Sequence, residues 1–219
     1  PATLLFTDIV GSTTTLERIG DKAWRELLLA HNAMIREQLD HHRGRELDTT
    51  GDGFLAMFDS ASRAVRCGLK IAQAARRIGL GIRIGCHTGE TALVAGSARG
   101  VAVHTAARVM ATADAGNVHV SKTTSDLLAA ADFGVELVGT FEFKGLTGPR
   151  EICAHTRSAA AHRETSIPTI TSAAAVEVSP WPALEAARRY VAFWHTVDRS
   201  EARQSKLRAT VRCATAHLY

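Results

Sequence analysis

The run from Arg45 to Phe58 reads strand, turn, strand, folded back at Gly51-Asp52-Gly53. It lies between two amphipathic helical patterns. In the first, Trp24, Leu27, Leu28, Met34, Ile35 and Leu39 recur at helical spacing; in the second, Ala64, Val65, Leu69, Ala72 and Ala75 do so within Ala61–Ile78. The apolar run Thr3–Ile9 precedes this unit, and the alternating Ile82, Ile84 and Cys86 follow it. A hairpin between two helices, bracketed by two more strands, is the βαββαβ order of a ferredoxin-like split βαβ core.

The chain then continues with a C-terminal α/β extension. A turn is expected at Thr88-Gly89-Glu90, a returning strand over Thr91–Ala95, a helix over Val101–Ala111 and a strand over Val118–Val120. A helix follows over Lys122–Ala131, with terminal strands at Val135–Phe143 and Ile152–His155. The fold class is therefore α+β. Thr14 and Glu17 have capping-box spacing at the start of the first helix. His31, a lone histidine on that helix's apolar stripe, reads as a core or boundary residue. Residues 158–180, rich in Ala, Ser and Thr, read as a linker, and 181–219 as a helical tail, leaving 1–157 as the main domain.

Composition excludes several function classes. With 46% apolar and 22% charged residues the chain is globular rather than disordered. No run reaches the roughly 18 apolar residues of a membrane helix, and no signal peptide precedes the first strand. The net charge of +4 belongs to the end of the chain. Residues 1–156 hold 17 basic and 17 acidic side chains, and the remainder nine and five. The folded body thus offers no basic excess to a nucleic acid, and neither nucleic acid nor membrane is an expected partner. Cys67, Cys86, Cys153 and Cys213 form no CxxC pair or zinc spacing, which suits a reduced, cytoplasmic protein.

Two carboxylates stand out. Asp8 ends the first strand, and Asp52 sits at the hairpin tip, 44 residues later. In a split βαβ sheet the first strand lies antiparallel beside the third, so its end meets that tip. Nothing basic is local to either. Such a pair suits hard divalent cations, with the Ile9 carbonyl as a further oxygen ligand. Two metals about 3.5–4 Å apart could clamp both ends of an in-line displacement at phosphorus. Gly11-Ser12-Thr13 follows at a helix N-terminus, where free N–H groups suit a polyphosphate.

Phe6-Thr7-Asp8-Ile9-Val10-Gly11-Ser12-Thr13, then Thr50-Gly51-Asp52-Gly53-Phe54-Leu55-Ala56, then Gly100 through Ala107-Arg108, resembles the class III nucleotide cyclase catalytic domain. The resemblance spans about residues 3–156. It implies formation of a cyclic 3′,5′-nucleotide and pyrophosphate from a nucleoside triphosphate, with two Mg²⁺ or Mn²⁺ ions per site. It also implies head-to-tail homodimers whose active sites draw on both chains. By the same resemblance Asp8, Asp52 and the Ile9 carbonyl hold metal, and Gly11, Ser12 and Thr13 bind phosphate. Arg108 would stabilise the transition state in the partner's site, and Lys144 would reach the terminal phosphates. Taken alone, Arg108 reads as a solvated helix residue and Lys144 as a turn lysine.

Three positions depart from the family pattern. Asp48 stands where a base-reading lysine is usual, Ser97 where a second base-reading residue, usually Asp, is expected, and His104 where an asparagine orients the ribose. An ionised Asp48 can only accept hydrogen bonds, from the adenine amine or the guanine N1 and N2 hydrogens. His104 can orient the ribose or shuttle the 3′-hydroxyl proton. ATP is the expected substrate by analogy with bacterial-looking members. The alternative is a weak or silent cyclase-like domain that binds nucleotide, or only dimerises and regulates. A diguanylate synthase is disfavoured, because the hairpin tip is not of GGDEF type.

Overall fold

A computed structural model describes residues 1–94, 97–129, 131 and 133–155. The expected linker, the helical tail and Cys213 lie outside the described residues. The elements run β1 (Ala2–Ile9), α1 (Ser12–His41), β2 (Arg45–Thr50), β3 (Gly53–Phe58), α2 (Ala61–Arg77) and β4 (Ile82–Gly89). Then follow β5 (Ala92–Val94), β6 (Ser97–Arg99), α3 (Val101–Ala111), β7 (Val118–Ser121), α4 (Lys122–Ala129), β8 (Val135–Phe141) and β9 (Arg150–His155).

Seven strands form one sheet in the order β2-β3-β1-β4-β7-β9-β8. The first four reproduce the ferredoxin-like order, and β7, β9 and β8 are the expected extension. β1 lies antiparallel to both β3 and β4, and β4 runs parallel to β7. Period-two alternation sends successive side chains to opposite faces. Leu5, Ile9, Phe54, Ala56, Phe58, Ile82, Ile84 and Cys86 pack with α1, α2 and Leu128 of α4. Leu4, Leu55, Phe6 and Met57 face the other way, against Ala102 and Ala106 of α3. Gly85 makes the second layer possible. A Cβ there would lie 2.2 Å from the Met110 backbone nitrogen, so only glycine lets α3 rest on β4.

Three expectations are corrected. The Thr14–Glu17 capping box does not form, because α1 already begins at Ser12 behind Gly11, a left-handed residue at φ 69°. The helix breaks instead at Gly20 (φ 77°, ψ 163°). The expected turn at Thr88-Gly89-Glu90 comes later, since β4 runs on through Gly89. The returning strand does not rejoin the main sheet: β5 pairs with β6, a strand not foreseen, in a separate two-stranded sheet. The remaining boundaries move by a few residues, as strand and helix ends do.

The C-terminal half of β4 is tied down by buried hydroxyls. Thr3 Oγ1 and Thr88 Oγ1 lie 2.9 Å apart, and the Thr88 N–H donates to Thr124 Oγ1 at 2.9 Å. Ser121 Oγ links Thr124 Oγ1 at 3.1 Å to His87 Nδ1 at 2.7 Å. Burial, then the nearby Arg150 charge, pushes the His87 imidazole down to about 4. Burial also lowers His31 and His119. In the unfolded chain these groups take a proton near pH 6.5. The unfolded state therefore binds more protons below that pH, and their contribution is complete above about 6.5 and lost as pH falls towards 4. Thermal melting should drop by at least about 3 °C between pH 7 and pH 5, and His87→Gln should flatten that slope. A melting temperature indifferent to pH across this window would contradict the assignment.

Candidate active site

The pairing of β1 brings the two carboxylates together. Its last ladder pair with β3 is Thr7↔Phe54. The same register continued sets Asp8 beside Gly53 and Ile9 beside Asp52. Leu4 and Phe6 point towards α3, so Asp8 stands on that face too, half-buried. Ile9 turns its side chain into the core, which leaves its backbone at the strand end. Gly51, at φ 63°, makes the tight tip that carries Asp52, itself half-buried. Asp52 makes no hydrogen bond or ion pair with another described residue.

Asp8 does have a cationic partner, which corrects the expectation that nothing basic is local. Arg83 on β4 is its direct cross-strand neighbour. Its Nε and Nη2 both donate to Asp8 Oδ2, at 2.9 and 2.5 Å. Arg83 is 75 positions away in sequence and became a neighbour only through the β1–β4 register. The alternation Ile82, Ile84, Cys86 was the signal available, because it sends Arg83 to the face opposite the helix core.

The α1 N-terminus follows Asp8 after Ile9 and Val10. The Val10 N–H donates to the Gly81 carbonyl at 2.8 Å and fixes the turn. Gly11 caps the helix with no side-chain hydrogen bond, and the first turn holds no acidic residue. The first helical bond in this turn is from Thr15 N–H to the Gly11 carbonyl. The N–H groups of Ser12, Thr13 and Thr14 thus precede the ladder, at the positive end of the helix dipole.

His31 is the second residue whose importance the sequence understated. It is fully buried, edge-on to Phe54 at 5.8 Å. Nδ1 lies 2.9 Å from Asn32 Oδ1, while Nε2 has no partner. The nearby Asp52 charge pulls its basicity up, against the larger effect of burial.

The remaining site residues divide by location. Asp48 is paired with Leu55 on β3, so it faces the α3 side, exposed. Its Oδ1 accepts the Thr49 N–H at 2.8 Å. A register shift between Glu46 and Asp48 marks a bulge at Leu47. Arg36 donates from Nε and Nη2 to Glu46 at 2.9 Å each, stacks over Phe54 at 5.4 Å, and holds the Glu46 carboxyl below its usual range. Ser97 opens β6, whose Ala98 packs on the same apolar cluster as Leu47 of β2, and the two strands lie in contact. His104 and Arg108 lie one turn apart on α3. Ala102, Thr105, Ala106 and Val109 are buried on the opposite side, so both face solvent. Lys144 is exposed in the turn between β8 and β9. Tracing the strand directions from β1 through β4, β7 and β9 puts that turn at the opposite end of the sheet from Asp8.

One chain therefore assembles Asp8, the Ile9 carbonyl, Asp52 and the open helix end. It does not bring Arg108 or Lys144 to them. Among the described residues no three His, Cys, Asp or Glu side chains gather around a common point. A cavity of about 540 Å³ between α2 and β7, β9 and β8 lies on the helix face and contains none of these residues. No helix among the described residues is long and apolar enough to cross a membrane.

Comparison with known proteins bears on this arrangement. The Silicibacter pomeroyi adenylate/guanylate cyclase/hydrolase superposes with a TM-score of 0.62 at 27% identity, over 72% of this chain and 97% of that one. The catalytic core of a rhodopsin-guanylyl cyclase with converted specificity, solved with ATPαS, superposes with a TM-score of 0.65 at 25% identity, over 71% and 94%. An uncharacterized protein of Rhizobium meliloti (strain 1021) is 30% identical over 172 residues, which is 68% of this chain. This chain spans only 17% of that relative's length. The model of the adenylate and guanylate cyclase catalytic domain matches residues 1–156, which hold both aspartates, the open helix end and the outward arginine of α3. On that match, with the fold in agreement, the chain belongs to the adenylate and guanylate cyclase catalytic domain family.

Proposed function

We propose that this chain is a purine nucleotide cyclase that converts a nucleoside triphosphate, ATP foremost, to a cyclic 3′,5′-nucleotide and pyrophosphate in a head-to-tail homodimer. The observation that carries the reading is the convergence of Asp8 and Asp52 beside the uncapped start of α1. The donor set fits Mg²⁺ or Mn²⁺: two carboxylates and a carbonyl are hard oxygen ligands, too few to enclose an ion, so that phosphate oxygens and water complete the shell. When bound, two such ions lower the charge on the reacting phosphate and activate the attacking oxygen.

The chain's own groups supply the rest. Gly11, Ser12 and Thr13 offer N–H groups to the triphosphate. The ribose 3′-hydroxyl oxygen attacks the α-phosphorus, the bond to the bridging oxygen of the β-phosphate breaks, and pyrophosphate leaves with that electron pair. His104 of a second copy, one turn from Arg108 on the same outward side of α3, orients the ribose and takes the hydroxyl proton. Arg108 and Lys144 from a second copy meet the charge of the phosphates, because within one chain the former faces solvent and the latter lies at the far sheet end. Asp48 and Ser97 are the base-reading positions. Asp48 has one oxygen engaged by its neighbour's N–H, so the other is an acceptor for a purine amine. That engagement also favours a second reading, in which Asp48 never meets a base and the domain is weak or silent. We place the protein in the cytoplasm, where its buried thiols Cys67, Cys86 and Cys153 stay reduced.

Purified protein with Mn²⁺ and ATP or GTP should yield the cyclic nucleotide and pyrophosphate on chromatography. Asp8→Ala and Asp52→Ala should each lower turnover at least about 100-fold, the scale of losing a major transition-state stabiliser, with the circular dichroism spectrum retained. Wild-type turnover in either mutant would refute the metal pair, and no product from the parent protein would favour the silent reading.

The base should be read weakly. With no lysine at position 48 to donate to adenine N1, ATP and GTP should differ by less than about tenfold in kcat/KM. A preference of 100-fold or more would mean that groups other than Asp48 and Ser97 read the purine.

Sharing of the site is testable by mixing two inactive proteins. Asp52→Ala and Arg108→Ala heterodimers would contain one intact site, so activity should reappear after subunit exchange. Proven exchange without recovery would count against a composite site.

A further inference from the structure

We infer that Arg83 is a positioning residue that competes with a divalent cation for Asp8, so that the site takes up metal weakly until a polyphosphate offsets the arginine's charge. This rests on the metal-site reading of Asp8 given above. Both donors of the Arg83 fork converge on one oxygen, Oδ2, and Oδ1 accepts no hydrogen bond from a described residue. The pair cannot drift apart easily. Asp8↔Arg83 lies within an unbroken register from Ala2↔Gly89 to Ile9↔Ile82, and both side chains stand on the α3 face. Arg83 forms no other hydrogen bond or ion pair with a described residue.

The charge count follows. Asp8 and Asp52 alone would present two negative charges to a cation, but with Arg83 the site presents one. The Arg83 side chain is 36% exposed and that of Asp8 24%, so the pair is only partly screened by solvent. A cation on Asp8 either displaces the guanidinium from Oδ2 or shares the carboxylate with it at close range, and both are unfavourable. A triphosphate held at the open α1 N-terminus reverses this balance, because its charge attracts the cation and the freed guanidinium alike. Metal and nucleotide then load together, and the metal-free protein keeps Asp8 ordered and neutralised.

The test is Mn²⁺ titration of the full chain without nucleotide, read by the electron paramagnetic resonance of free Mn²⁺. Arg83→Gln should bind Mn²⁺ at least about threefold more tightly, the scale of one partly exposed charge interaction. Arg83→Lys, which keeps the charge, should stay within about twofold of the parent on the same scale. A folded Arg83→Gln protein that binds as the parent does, or more weakly, overturns the inference. Should Arg83→Gln not fold, the parent protein still decides. The Arg83 Nε–H resonance should shift on Mg²⁺ titration, and a resonance unmoved at saturation overturns the competition. Asp8→Asn and Asp52→Asn separate the two levels of the argument. If neither weakens Mn²⁺ binding, the metal-site reading itself fails; if both do while Arg83→Gln changes nothing, only the role of Arg83 fails.

Discussion

The meeting of Asp8, Asp52 and Arg83 at one end of the sheet depends on the antiparallel pairing of β1 with two neighbours at once. The β3 side of that pairing sets the Asp52 tip beside Ile9, and the β4 side sets Arg83 beside Asp8. Because side chains alternate, a slip of one residue in either register would send Asp8 into the core and Ile9 to the opposite face. The burial of Leu5, Ile9, Phe54, Ala56 and Phe58 against the helices forbids such a slip. The hydrophobic pattern of β1 and β3 therefore specifies the position of the carboxylates, though none of those apolar residues would touch substrate.

Much of this was legible from local pattern. Period two in Ile82, Ile84 and Cys86, the 3.6 spacing in both long helices, and the glycines around Asp52 sufficed to order the first four strands. What was not legible depended on contact between distant segments. Arg83 was visible only as the residue between two core isoleucines; its partner emerged from the β1–β4 register. The capping box at Thr14 and Glu17 failed because Gly11 can adopt the left-handed conformation that starts a helix earlier, a backbone option that side-chain spacing does not reveal. Strand β6 is three residues long and pairs only with β5, below the length at which alternation is informative. His31 was read correctly as a core residue, but its unpartnered Nε2 and its electrostatic link to Asp52 required the tertiary structure.

On the proposed reading, the division of the site residues over the molecule would leave a single copy an incomplete catalyst. The sheet has two ends and two faces. Asp8 and Asp52 occupy one end of the α3 face, α3 presents His104 and Arg108 outward on its own solvent side, and Lys144 marks the far end. No rotamer change carries Lys144 across the length of the sheet. A second chain laid head to tail on the α3 face would bring its far end to the first chain's aspartates. The exposed Val101 and Leu93, 63% and 43% accessible, lie on the elements that such a partner would cover. Two equivalent sites would then follow from the twofold relation, because each copy presents both halves.

The region assigned to the base is held by a different device. Arg36 of α1 grips Glu46 with both donors and lies over Phe54, while Glu46 also accepts Thr49 Oγ1 at 2.6 Å. This brackets the bulge at Leu47 from both sides and decides which face Asp48 presents. Without the extra residue of the bulge, alternation along β2 would turn Asp48 towards α1 and α2, where an unpaired carboxylate would be costly to bury. Phe54 connects the two devices: it stacks under Arg36, meets the His31 ring, and closes the β1–β3 register two residues from Asp52. The polar anchor of β2 and the apolar anchor of the carboxylate tip thus meet at one buried ring, so a perturbation of either is felt by both.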